Sequence, residues 1–193
     1  MVGYFTGSQI DHANASGNVN GLYYSGGIVG YASLSGGNIV SSRATGKVAG
    51  TAYVGGLAGV VYNSSVLDSS ASGAVFADAQ QTYAGGLIGY VQGGSITGST
   101  STSKVVGIDG AHPDTIYSSS HYTGGLIGYF SSASGIANSS ASGSVKSAYY
   151  GGGLVGYFCC GGSISNSSAS GNVNSPLRPV TWPLALLLAM VVP

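Results

Sequence analysis

The acid–base residues of this 193-residue chain are few: Asp11, Asp68, Asp78, Asp109 and Asp114, with His12, His112 and His121 and no glutamate. Cleavage of a glycosidic bond needs two carboxyl groups facing each other across a groove. Asp11 and Asp68 belong to different copies of a repeat, at neighbouring repeat positions. A local cluster forms only around Asp109, His112, Asp114 and His121. As a metal or acid–base site it competes with the plainer reading of a polar loop, and the plainer reading is preferred. Serine is abundant, but no Gly-x-Ser-x-Gly elbow supports a nucleophile. The glycine pairs do not open helices, so no phosphate cradle is expected. Repeated aspartates of the calcium-binding β-roll pattern are missing. Cys159 and Cys160 are adjacent. Strand neighbours point to opposite sides, so two free thiols in a loop are expected, with no metal-ligand spacing. Catalytic, cofactor-binding and metal residues are accordingly assigned to none.

Binding chemistry is better represented. Ser70/Ser72, Thr100/Thr102, Ser140/Ser142 and Ser168/Ser170 recur at two repeat positions and should point outward as a regular hydroxyl array. Tyr24, Tyr53, Tyr83, Tyr122 and Tyr150 form one aromatic column, and Tyr31, Tyr90, Tyr129 and Tyr157 a second. Stacked rings ordinarily stabilise a ladder, and an exposed column could hold a sugar.

These columns exist because the chain repeats. Tyr122-Thr123-Gly124-Gly125-Leu126-Ile127-Gly128-Tyr129 has close copies at 24–31, 53–60, 83–90 and 150–157, and Val2-Gly3-Tyr4 resembles the end of another. The last glycines of the copies (Gly3, Gly30, Gly59, Gly89, Gly128, Gly156) lie 27, 29, 30, 39 and 28 residues apart. Such a period marks a solenoid. A second segment follows each copy, at 10–19, 39–48, 66–75, 96–105, 136–145 and 164–173.

Glycine and serine disfavour helix, and the segments between turn signals have strand length. Alternation along one strand would set Tyr122, Gly124, Leu126 and Gly128 on one face, and Thr123, Gly125, Ile127 and Tyr129 on the other. Both aliphatic columns, Ile28–Leu57–Leu87–Leu126–Leu154 and Val29–Ala58–Ile88–Ile127–Val155, are apolar. The block should therefore be buried on both faces or covered by tyrosines. In the second segment Ala15, Ala44, Ala71, Ser101, Ala141 and Ala169 form a column of small residues, suited to a narrow interior.

Repeats that cannot bury a face alone must stack. The predicted fold is all-β, a parallel β-helix of about six coils over residues 1–174, right-handed by the usual crossover preference. The fourth repeat carries an insert at about 105–121, where solenoid insertions leave the stack. Residues 175–193 form a non-repeating apolar tail whose nine-residue run Leu184–Val192 is too short to span a bilayer. It reads as a cap over the last coil, or as the product of a shifted reading frame. The chain opens inside a repeat without a secretory signal, which favours a piece of a longer protein.

Charged residues make up only 5% of the chain and the formal net charge is zero. Nothing neutralises phosphates, so nucleic acid is not an expected partner. Lys47 and Lys104 share a repeat position and Lys146 lies two residues on, a sparse solvated row.

The Gly-Gly-Leu-Ile-Gly-Tyr block, with Gly125-Leu126-Ile127-Gly128 as its core, resembles the GLUG motif of large bacterial surface and secreted proteins. The following Ile136-Ala137-Asn138-Ser139-Ser140-Ala141-Ser142-Gly143 is similar to that family's second half. The resemblance covers about residues 2–174. It departs at Ile28 for leucine, Val60 for tyrosine and Ser103 for glycine. It implies a structural or adhesive repeat segment of a secreted or surface-anchored bacterial protein, without catalysis. Expected partners are host or surface glycans or proteins, the rest of a longer parent chain, and other copies end to end. The alternatives are a carbohydrate- or ice-binding module using the hydroxyl or tyrosine ladders, and a β-helix enzyme with its site in the insert.

Overall fold

The computed structural model describes residues 2–33, 36–78, 82–107 and 121–175. The described elements are all β-strands, stacked in parallel as a solenoid. Each turn has five short strands, so the two blocks read from each repeat subdivide. Their tandem copies form five parallel sheets running along the solenoid.

The first sheet contains Val2–Phe5, Val29–Ser33, Ala58–Tyr62, Ile88–Gln92, Ile127–Ser131 and Val155–Cys159. The second begins with Ile10–Asp11 and Asn38–Val40, the third with Asn14–Ala15 and Arg43–Ala44, the fourth with Val19–Asn20 and Val48–Gly50. The fifth holds Tyr24–Gly26, Tyr53–Gly55, Thr82–Gly85, His121–Gly124 and Tyr150–Gly152. Five full turns result, and a sixth carries four of the five strands among the described residues. Equivalent residues face each other across every interface, as in Ile10↔Ile39, Val66↔Ile96, Ile96↔Ile136 and Ile136↔Ile164. At about 4.8 Å per interface the stack is roughly 25 Å long.

The octapeptide is not one strand. It bends at Gly125-Leu126, between the fifth-sheet strand ending at Gly124 and the first-sheet strand starting at Ile127. Alternation does not carry through the bend, so Leu126 and Ile127 both enter the same core. The two apolar columns are buried because they flank an inward corner, not because a flat strand is covered on both faces. A fully buried Leu or Ile contributes roughly 1.5–3 kcal/mol.

The interior has two compartments. The larger holds the Ile28–Leu57–Leu87–Leu126 column, the Ile39–Val66–Ile96–Ile136 column and Phe130, which stacks on Phe158 at 5.1 Å. The smaller holds Val48, Val54, Val75, Ala77, Ala84 and Val105. Between them the chain is pinched. A Cβ on Gly27 or Gly56 would lie 2.8 Å from the Cβ of Ala44 or Ala71, and one on Gly125 3.0 Å from that of Ala141. The column of small residues does line a narrow interior, and glycine is the residue opposite it.

A second column is polar. Ser42, Ser69, Ser99, Ser139 and Ser167 follow the leading Ile or Val by three residues. Each Oγ–H donates to the carbonyl two residues earlier, at 2.8–3.0 Å. Each Oγ also accepts a backbone N–H from the preceding coil at 3.1–3.2 Å, from Ala13, Ser42, Ser69, Ser99 and Ser139 in turn. Buried backbone polar groups must find partners, and these hydroxyls supply them where strand pairing lapses. One residue before each serine the chain turns through the left-handed region, with φ between 45° and 62° at Ser41, Asp68, Gly98, Asn138 and Asn166. Asn, Asp and Gly tolerate that conformation best. Asp68 therefore serves a corner.

The expectation of two free thiols is corrected. Cys159 and Cys160 are joined by a disulfide. Cys160 leaves the strand with φ 77°, so the two side chains no longer diverge as strand neighbours would. The bridge closes no loop of chain and makes no disulfide framework.

Candidate functional site

Of the candidate acid–base cluster in the insert, Asp109, His112 and Asp114 lie outside the described residues, as does the tail after residue 175. His121 is described. It occupies the fifth sheet beside Thr82, fully buried, with Nδ1 2.8 Å from Thr82 Oγ1 and its ring stacked on Tyr149 at 5.7 Å. It faces the solenoid interior. Among the described residues, no group of three His, Cys, Asp or Glu could hold a metal ion. Asp11 and Asp68 sit on separate coils, and Asp11 pairs with its neighbour His12 at 2.7 Å.

Lys47, Lys104 and Lys146 are exposed, as a solvated row would be. The ammonium of Lys47 lies 4.6 Å from the centroid of the Phe76 ring.

The outward hydroxyls form two ladders of different quality. Ser70, Thr100, Ser140 and Ser168 are in register, but Arg43 and Asn14 occupy the same position in the first two coils. The neighbouring column Ser16–Thr45–Ser72–Thr102–Ser142–Ser170 carries an exposed hydroxyl in all six coils.

The tyrosines give the densest array. The two sequence columns lie on either side of the corner between the fifth and first sheets, facing outward, and they meet. Rings within the column Tyr24–Tyr53–Tyr83–Tyr122–Tyr150 stack at 4.7–5.4 Å. In the other column Tyr4–Tyr31 and Tyr90–Tyr129–Tyr157 stack at 4.9–5.2 Å. Across the corner the rings meet edge to face, as Tyr53–Tyr90, Tyr83–Tyr129 and Tyr122–Tyr157 at 5.1–5.6 Å. Both geometries suit the ring quadrupole, and each pair contributes about 0.5–1.5 kcal/mol. Rings at the ends are nearly half exposed, Tyr24 at 48% and Tyr150 at 46%, while Tyr53, Tyr83, Tyr90 and Tyr129 are half-buried.

This packing raises the pKa of five phenols. Burial, followed by the neighbouring phenols Tyr53, Tyr122, Tyr129 and Tyr90, pushes Tyr83 up to about 12. Burial also raises Tyr31, Tyr53, Tyr90 and Tyr129, again reinforced by adjacent phenols. The edge is thus an uncharged strip of ring faces fringed with hydroxyls. Each column was visible as a sequence period, but their union was not, because it depends on the bend at the glycine pair.

The GLUG motif pattern matches residues 50–75 and 80–106. These two stretches of the chain are GLUG repeats. The two matched stretches are consecutive turns of the solenoid, each running from the fifth-sheet strand through the tyrosine corner to the start of the fourth sheet. GLUG is a repeat motif of β-helix proteins. No curated protein and no solved structure gives a significant match.

Proposed function

We propose that this GLUG solenoid is a structural and adhesive segment of a secreted or surface-anchored bacterial protein, acting without catalysis. The observation that carries the reading is the unbroken register of equivalent residues from coil to coil, over sheets up to six strands long. Parallel ladders with packed interiors make a stiff rod, and a rod suits a spacer or a stalk. The strip of neutral tyrosines supports the adhesive half. It is accessible and free of chemistry that would commit it to an anion or a cation.

Its partners are glycans or proteins of a host or neighbouring surface, the remainder of a longer parent chain, and other copies stacked end to end. Two measurements test this. Antibody against the solenoid should label intact cells that produce the protein, and the signal should vanish after protease shaving. Light scattering should show association that grows with concentration. Labelling only after cells are permeabilised would overturn the surface assignment, and a monodisperse monomer at high concentration would overturn end-to-end stacking.

The second reading, a binding module built on the hydroxyl ladder, is favoured by the six-coil column from Ser16 to Ser170. Regular exposed hydroxyls could order water against ice. Thermal hysteresis no larger than that of buffer would dispose of it.

A further inference from the structure

One position breaks the tyrosine array. Val60 pairs with Tyr31 on one side and Tyr90 on the other, so it stands where the column calls for a ring. The stack is interrupted there: Tyr4 lies on Tyr31, and Tyr90 on Tyr129, with one ring missing between the two halves. Tyr31 and Tyr90 are two strand intervals apart, about 9.6 Å. Elsewhere in this column one ring fills each interval at 4.9–5.2 Å. The vacancy is therefore one ring thick.

The vacancy is a notch of about 170 Å³ lined by Tyr24, Tyr31, Tyr53, Val60, Tyr62, Tyr90 and Gln92. Small-molecule pockets are usually about 300 Å³ or larger, so this one is sized for a single ring. Val60 lies beneath it at only 3% exposure, covered by the surrounding rings, so the notch is bounded by the tyrosines above the valine. Its walls are tyrosine rings, and its polar groups are phenol hydroxyls and the Gln92 amide, which lies 3.3 Å from the Tyr90 hydroxyl. No charged side chain lines it.

We infer that the Val60 notch is a binding site for one neutral pyranose ring, held between Tyr31 and Tyr90 with its hydroxyls bonded to the tyrosine rim and Gln92. A pyranose presents C–H groups on its faces and hydroxyls around its edge. The faces match ring walls, and the edge matches a fringe of donors and acceptors. A flat aromatic ligand would use the walls but leave most of the rim unpaired, at a cost for every polar group it desolvates. An anionic sugar would find no cation. The inference rests on the adhesive half of the proposed function and names the class of ligand for it. It locates the site on one coil, whereas a general tyrosine strip would bind along its whole length.

The test is saturation-transfer NMR on the whole chain with a panel of neutral methyl pyranosides, beside phenol as an aromatic probe. Val60→Tyr restores the ring that the five other coils carry, so it should fold and fill the notch. Transfer from the aromatic protons to at least one pyranoside is expected, reduced at least tenfold in Val60→Tyr and retained in Tyr150→Ala, whose ring lies away from the notch. Should Val60→Tyr not fold, Tyr90→Ala, which removes a wall, is expected to lose the transfer in its place. Pyranoside transfer that survives in Val60→Tyr would overturn the notch while leaving an adhesive tyrosine strip intact. Absence of transfer to any pyranoside, or transfer to phenol alone, would overturn the ligand class.

Discussion

The inward columns and the tyrosine edge obey different rules although both are ladders of identical positions. Inside, Ile28, Leu57, Leu87 and Leu126 follow one another without a polar or small intruder, and all are buried. At the edge one column accepts Val60 among tyrosines, and the rings keep part of their surface in water, up to 65% at Tyr4. A gap inside would be a dry cavity, costly because its lining loses contacts. A gap at the edge opens to solvent and can be occupied by something else. The interior holds the rod together; the edge is where the sequence has room to vary.

The largest effect should come from breaking the interior. Leu126→Ala is expected to lower unfolding stability by about 2–5 kcal/mol, the range for a buried leucine with partial collapse around it. Urea denaturation checks this, and a loss below about 1 kcal/mol would mean that the coil is not packed as described. Gly56→Ala should follow. Its new Cβ would overlap the Gly86 carbonyl oxygen and approach the Ala71 Cβ to 2.8 Å, so a cost of about 1–3 kcal/mol is expected. Stability equal to the unsubstituted chain would show that the pinch between the two compartments is looser.

The edge should reveal itself in alkali. A phenol whose folded pKa lies above its unfolded value of about 10 holds its proton longer when folded. Its stabilising contribution is complete below pH 10 and is lost as pH rises through the folded value, about 12 for Tyr83. Stability should thus fall between pH 10 and 12, and ultraviolet titration should resolve late-ionising tyrosines. Complete ionisation of every tyrosine near pH 10 in the folded chain would remove the packed strip. The smallest effect is expected at a corner. Ser41 adopts φ 45° where other coils use His, Asp, Gly or Asn, so Ser41→Asn should stabilise by less than about 1 kcal/mol. A destabilised variant would mean that the serine makes a contact asparagine cannot replace.

Much of this was legible in the residues. The period gave the stack, the aliphatic columns gave the core, and Ala44, Ala71 and Ala141 gave the narrow waist. What stayed hidden depended on geometry that periodicity does not encode. The bend at Gly125-Leu126 sends two successive apolar residues inward, which strand alternation forbids. It also brings two tyrosine columns together at one corner. The serine three residues after each leading Ile or Val was readable as a small residue, but its bridging hydrogen bonds require knowing that the preceding residue is left-handed. Asn138, Asn166 and Asp68 carried that signal in their identities. Cys160 misled for a related reason, since it too leaves the strand with positive φ.

The most direct test of the division between interior and edge is a Tyr53→Ala/Tyr83→Ala double variant of the whole chain, followed in parallel by thermal unfolding and by binding to an array of neutral glycans. The two rings lie in the middle of the strip and stack on each other at 4.7 Å. A single cooperative unfolding transition should persist, because the interior columns are untouched, and glycan binding should be lost. Undiminished binding, or a chain that no longer folds, would contradict the account: the first would move recognition away from the tyrosines, and the second would make the edge part of the frame.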